Sequence, residues 1–422
     1  MAVHAAAPHL TACRSGDGDM EARPVNNAPT NSIAHTPVSV WKAPGMPALL
    51  LLTAAGFSGF AVLLPTAPLW AVRGGADTAG AGSVNAVLML CTVCAQTLVP
   101  ATIRRLGWRA TLVAGAVLLG APSLAHPSAT GLGAVLALAA VRGLGFGVLT
   151  VCGATAVAEL VGPERRGKAV GAYGLAIAGP QFILVSTAPW AAENIGFTAV
   201  FAVGALPLLG VVPALRLTRR LDGRPAGTDR PQDRAAVART TYLPLLRPML
   251  LLLGATTAGG ALITFAPQMS DDPAATLAAL LLLTGTAAVA RWRFGAAADR
   301  YGTRPFLWPL VAATAVGLAL TAWAVATPGE TRVVPLLTGT ALVGVCYGGL
   351  QNLTLVDSFA AVDPRSSGVA SAVWNIGFDG GTGLGALLVG FLATGTSFSV
   401  ALLVTAALSL ATLPLALTRR NG

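Results

Sequence analysis

Charged side chains are scarce in this sequence. They make up 10% of its 422 residues, against about 25% in an average soluble domain. That shortage excludes a large soluble protein, because too little polar surface is left to keep so long a chain in water. Cysteine is scarce too, at five residues. Cys91 and Cys94 form a CxxC, but it lies in an apolar run with no second pair and no nearby His. Small packing residues fit better there than metal or redox use. No Walker A motif occurs, so an ATP-driven pump is not expected. "RGLGFG" (142–147) and "GGTGLG" (380–385) have the glycine spacing of nucleotide loops, yet both lie inside apolar runs, where Gly serves close helix packing. No nucleophile–base pair or metal-ligand cluster is evident, so neither an enzyme nor a bound cofactor or metal is expected. The first 45 residues hold no apolar core of signal-peptide type.

What the chain has in abundance is apolar sequence. It is 54% hydrophobic, with a mean hydropathy of +0.70. About 20 apolar residues cross a bilayer as a helix, and backbone polar groups in hydrocarbon must be satisfied within the segment. Twelve spans are expected, near 47–69, 78–100, 109–126, 131–156, 168–190, 197–216, 247–268, 274–292, 305–326, 333–357, 367–392 and 397–418. The fold class is therefore an all-α integral membrane protein. The polar stretch 217–246 divides the spans six and six. This gives a disordered tail (1–45), two six-helix bundles (46–216 and 247–418), a linker between them and a short C-terminal end (419–422).

An even number of spans puts both termini on one side. Counting helix ends, that side holds all but three of the 27 basic residues. Arg73 and Arg332 fall on the other side and Arg142 lies inside a span. The asymmetry is a positive-inside signal, so both termini are expected in the cytoplasm, with the protein multi-pass in the plasma membrane. It also accounts for the net charge of +10. Spread over many short loops, that charge makes no single face for nucleic acid.

The chain repeats internally. "RFGAAADRYGTR" (293–304) follows span eight, and a degenerate copy, "PATIRRLGWR" (100–109), follows span two. Gly107 matches Gly302, and Arg109 matches Arg304. Further on, Pro163, Gly167, Ala169 and Gly179 match Pro364, Gly368, Ala370 and Gly380. Repeated halves with a substrate site between them are a common plan among secondary transporters. "GAAADRYGTR" resembles the signature loop of the major facilitator superfamily, with Gly295, Asp299, Arg300, Gly302 and Arg304 at the signature positions. Arg142 in "VRGLGFG" resembles the buried arginine of the drug–proton antiporter branch. Gly179–Pro180 resembles that branch's Gly-Pro motif, although Ile183 and Leu184 stand where the family often has glycines. The resemblance covers 47–418. It implies alternating access, with the signature loop as a latch on one state. The first-half loop departs from the pattern: Pro100 replaces its leading Gly, and Arg104 stands where the acid belongs.

Ionisable groups at membrane depth cost about 2.5–3.5 kcal/mol each on insertion scales and are functional by default. Arg142 and Asp379 lie near the middle of spans four and eleven, and are the candidates for proton coupling. Glu159 and Asp357, at span ends, fit structural pairing with nearby Arg. In the family, the spans bearing Phe57, Phe60, Gln181, Phe265, Tyr347, Gln351, Asn352 and Asn375 line the substrate cavity. Aromatic and amide groups there suit an amphiphilic molecule. The expected function is proton-coupled efflux of a hydrophobic or amphiphilic small molecule by a monomer whose partners are lipid, substrate and protons. Import of a small nutrient is the alternative; a non-transporting membrane enzyme or sensor fits less well.

Overall fold

The structure is a computed structural model, and it describes residues 43–161, 166–221, 239–327, 329–363 and 366–418. These are helical apart from turns and one isolated bridge between Thr327 and Glu330. Eleven helices are long and apolar enough to cross a membrane. One of them, Thr78–Ala125, is broken at Gly107, whose φ of 78° and ψ of 169° are not helical. Split there, it becomes two spans, and the expected twelve are present. We label them α1 (Met46–Arg73), α2 and α3 (78–106 and 108–125), α4 (Leu132–Leu160), α5 (Lys168–Asn194), α6 (Phe197–Leu221), α7 (Tyr242–Met269, preceded by a helical turn from Arg239), α8 (Pro273–Tyr301), α9 (Arg304–Ala324), α10 (Val333–Ala360), α11 (Ser367–Gly395) and α12 (Phe398–Leu417).

Gly302 ends α8 with φ 75° and ψ 174°, nearly the same conformation as Gly107. Both lie in a region that residues with a Cβ rarely adopt. The two loops matched by sequence are thus built alike, including the one that lacks the acid.

The repeat extends into packing. Gly143 and Gly147 of α4 lie against the carbonyls of Leu88 and Thr92 on α2. Gly344 and Gly348 of α10 lie against those of Leu283 and Ala287 on α8. One constant shift in numbering carries Gly107 to Gly302, Leu88 to Leu283 and Thr92 to Ala287. A second carries Gly143 to Gly344, Gly147 to Gly348 and Gly179 to Gly380. Small residues at helix contacts let backbones approach closely where lipid supplies no hydrophobic drive.

The expected linker is shorter than 217–246, because both flanks are helical. Leu217 and Leu221, one turn apart, are buried, while Arg219 and Arg220 point outward. The polar residues form one face of a helix whose other face still packs. Residues 222–238 of that linker, the tail through residue 42, Pro163, Pro364 and residues 419–422 lie outside the described residues.

In α5 the helix changes type. Pro180 cannot donate a backbone hydrogen bond, and a π-helical turn, Gln181–Val185, follows it. Such turns often mark functional positions in helices.

Candidate transport site

Four hydrogen bonds join the two halves among the described residues. Ala79 N–H donates to Thr394 Oγ1 (2.8 Å), Asn85 Nδ2 to Thr264 Oγ1 (2.9 Å) and Gln96 Nε2 to an Asp379 carboxylate oxygen (2.7 Å); Ser186 and Thr284 share a hydroxyl bond of 3.0 Å. Close glycine contacts add to them: Gly82 against Ala386, Gly383 against Met89 and Gly285 against Phe182. The Ala79–Thr394 and Asn85–Thr264 bonds lie toward the end that carries the loops after α1, α7 and α11; Ser186–Thr284 and Gln96–Asp379 lie near mid-helix. The halves are therefore joined at the end remote from the start of α1 and the close of α12.

Between the halves lies a cavity lined by both of them. The first half supplies Phe60, Leu64, Met89, Ala178, Gln181 and Phe182 to its wall. The second supplies Ile263, Thr284, Arg291, Tyr347, Phe378 and Thr382. Of the residues expected there, Phe60, Gln181 and Tyr347 line it. Gln181 does so from the π-helical turn, which rotates it relative to a regular helix.

The other expected cavity residues lie elsewhere. Phe57 faces the interior of the first half, its ring 5.2 Å from that of Phe146, which also stacks on Phe60 at 3.8 Å. Phe265 is fully buried against Phe398 and beside Gly390, in the core rather than on the wall. Gln351 is buried beside Tyr347. Asn352 abuts Gly295, the contact that this glycine's missing side chain permits. Asn375 donates to the Ser371 carbonyl of its own helix (2.8 Å).

Asp379 is 5% exposed and bonded to Gln96. Tyr347 lies within electrostatic reach of both Asp379 and Arg291. Arg142 is fully buried and donates to the Gly59 carbonyl (3.1 Å); its Nε and Nη1 have no partner among the described residues. It lies near His126, also fully buried, and forms no ion pair with Asp379 among the described residues. The two intramembrane charges singled out by sequence are therefore not brought together in this state.

The signature loop is held by a different acid from the one the resemblance indicates. Asp299 is exposed and makes no ion pair among the described residues. Arg300 and Arg304 are exposed as well, Arg300 lying over the Tyr301 ring. Instead Thr303 Oγ1 donates to Asp357 (2.5 Å), which also pairs with Arg247 (3.3 Å). Arg247 in turn donates to the Leu415 carbonyl (2.9 Å). This network ties α7, α10 and α12 to the loop between α8 and α9, and it gives Asp357 the structural role its position suggested. Removing a partly buried charged partner costs about 1–3 kcal/mol. Asp357→Ala should therefore lower the thermal midpoint by several degrees, whereas Asp299→Asn should leave it within about one degree, since surface changes usually stay within about 0.5 kcal/mol. Equal midpoints for the two purified variants would refute this division of labour.

On the first half, Gly179 has open space around it and Pro180 ends the regular helix ahead of the π turn. Two residues were missed by sequence reasoning: Gln96, which holds Asp379, and Arg291, on the cavity wall. Arg291 reads as one more basic residue at a helix end, and Gln96 as an isolated amide in an apolar run. The register of the repeat was the available signal, because the shift that pairs Gly107 with Gly302 also pairs Gln96 with Arg291.

The Major Facilitator Superfamily profile matches residues 49–378. The chain belongs to that family, and its class is that of secondary transporters working by alternating access. Among solved structures, it is similar to the nucleoside transporter NupG (13% identity, TM-score 0.67, covering 89% of this chain and 100% of that one). It is also similar to the E. coli xylose transporter XylE in an inward open conformation (14%, 0.64, 87% and 94%). A third is a bacterial homolog of the human lysosomal transporter Spinster, inward-facing and unoccupied (14%, 0.69, 88% and 95%). At these identities the likeness shows the fold. A search of curated protein sequences finds no match.

Proposed function

We propose that this protein is a proton-coupled exporter of an amphiphilic small molecule, with Asp379 as the proton site. The observation that carries the reading is the Gln96–Asp379 bond, which joins the halves at the edge of a largely apolar cavity. A carboxylate at membrane depth is costly unless it has a function or a partner, and here its hydrogen-bond partner belongs to the opposite half. Protonation changes the strength of that bond, and so biases the separation of the halves. Phe60, Phe182 and Phe378 give the cavity an aromatic lining suited to an apolar body. Arg142 shapes the first half through Gly59, at a distance from this bond. Asp299 acts as a latch in a state other than this one, so Asp299→Asn is expected to slow flux sharply at equal expression.

With both termini in the cytoplasm, the closed end faces outward and the cavity is loaded from inside. Single cysteines replacing Thr30 and Thr228 in a background free of the five native cysteines test this. An impermeant thiol reagent is expected to label neither in intact cells and both after permeabilisation. Labelling of either in intact cells would reverse the orientation. Import of a small nutrient is separated from export by proteoliposome flux with the pH gradient imposed in each direction, and by a toxic-compound resistance panel in an efflux-deficient host.

A further inference from the structure

The two halves are related by the constant shifts described above, yet the two sides of the cavity are not chemically equivalent. The shift for α2 and α8 carries Gln96 to Arg291. The shift for α4, α5, α10 and α11 carries Ala178 to Asp379. On one side an amide donor meets a carboxylate across the halves, Gln96 to Asp379 at 2.7 Å. At the related positions stand Arg291 and Ala178, a guanidinium and a methyl group, both lining the cavity. The repeat thus creates a place for an acceptor at Ala178 and leaves it without one.

Arg291 has no hydrogen bond or ion pair among the described residues; the neighbour within electrostatic reach is the Tyr347 hydroxyl. No Asp or Glu lines the cavity. The nearby acid, Asp379, already accepts a bond from Gln96. Arg291 is half-buried; a cation facing an apolar cavity without a counter-charge is costly, and a ligand carrying the opposite charge offsets that cost. A guanidinium also offers a planar fork that matches a carboxylate in two parallel hydrogen bonds. Around this head the wall is apolar and aromatic: Phe60, Met89, Phe182, Ile263 and Phe378.

We infer that Arg291 is the anchor for a single negative charge on the substrate, which is an amphiphilic monoanion: one carboxylate or equivalent acidic head on an aromatic or aliphatic body. The inference rests on the reading of this cavity as the substrate site and names its ligand class. One cation on the wall, with the acid at the cavity edge, Asp379, already bonded to Gln96, favours an anion, and it offers no second site for a dianion. Thr284 and Gln181 are placed to bond the polar part of the head.

The test is ligand-induced thermal stabilisation of the purified full-length protein. The probes are four aryl carboxylates running in size from benzoate to dansylglycine, each compared with its primary amide. The wild type is expected to prefer at least one carboxylate over its amide by about tenfold or more in apparent affinity, equal to about 1.4 kcal/mol. Arg291→Gln should abolish that preference, bringing the apparent affinity for the carboxylate down to that for its amide, and Arg291→Lys should keep part of it. Ala178→Asp places a carboxylate where the repeat leaves a methyl, and should abolish the preference with Arg291 still present. It carries the test if Arg291→Gln does not fold. The inference is overturned if no carboxylate outperforms its amide, or if the preference survives in Arg291→Gln or Ala178→Asp. The assay uses neither a gradient nor turnover. A failure of proton-coupled export appears instead in flux measurements on Asp379 variants, so the two can fail independently.

Discussion

Asp379→Asn in reconstituted vesicles should abolish pH-gradient-driven accumulation, bringing the inside-to-outside ratio to about one, while substrate exchange continues. The argument starts from the bond that Asp379 makes. Gln96 of α2 donates to it at 2.7 Å, and its side-chain nitrogen also lies 3.4 Å from Thr150 on α4. The groups facing Asp379 are therefore an amide from the other half and the Tyr347 hydroxyl from α10, with Arg291 beyond Tyr347. A hydrogen bond to an ionised group contributes about 1.5–3 kcal/mol, and one between neutral groups about 0.5–1.5. Protonating Asp379 thus weakens the tie between α2 and α11 by on the order of 1 kcal/mol, which shifts a two-state equilibrium about fivefold. Repeated each cycle, that bias is enough to link proton movement to the separation of the halves. Asparagine keeps the shape and the weaker bond but carries no proton, so the halves still move and the gradient no longer drives them. Exchange retained with accumulation lost is the expected pattern; accumulation at the wild-type level would remove Asp379 as the proton site. Gln96→Leu is the complementary variant. It takes away the partner and leaves the carboxylate, so it should alter the pH dependence of flux without abolishing gradient drive.

The physical reason that so much of the fold can be read from the chain is the bilayer. Span length and backbone satisfaction are imposed from outside, so the twelve expected spans agree with the helices to within a few residues at most ends. The clearest exceptions are polar helix ends: 293–301, expected to follow span eight, continues α8 to Tyr301, and 217–221 continues α6, because polar turns at a helix end read as loop. The site is less legible because hydrophobic periodicity vanishes in helices that are apolar all round. Phe60 on the cavity wall and Phe265 in the core are both mid-span aromatics, and nothing in their neighbourhoods separates them. Charge is a better signal at membrane depth, and it marked Asp379. It failed for Arg291 because a cation near a helix end also fits a topology count. The acid of the signature loop is a further case: its position is legible, but its exposure and lack of an ion pair among the described residues are not. In this state Thr303 and Asp357 make the contact.

Gly348→Ala should prevent the second half from folding, or leave it too unstable to purify, while Gly380→Ala should be silent. A methyl group on Gly348 would stand 2.0 Å from the backbone oxygen of Ala287. That neighbour is main chain in the middle of α8, so no rotamer change relieves the clash; α8 and α10 must move apart. Overpacking a tight contact costs about 1–3 kcal/mol and occasionally more. This contact is backbone against backbone, and the next glycine along the same seam, Gly344, already meets Leu283 and Thr286. Prising α8 from α10 would also displace Arg291 and Tyr347, which lie on those two helices and share the cavity wall. Gly380 is the contrasting case, since a Cβ there meets nothing within 4 Å. In the first half, a methyl group on Gly147 would stand 2.5 Å from the Thr92 backbone oxygen, so Gly147→Ala should be damaging but less so. Fluorescence-detected gel filtration of the three variants, expressed in parallel, gives the order directly. A monodisperse Gly348→Ala protein with wild-type thermal stability would show that the α8–α10 seam yields, and that its glycines are not what fixes the distance between these helices.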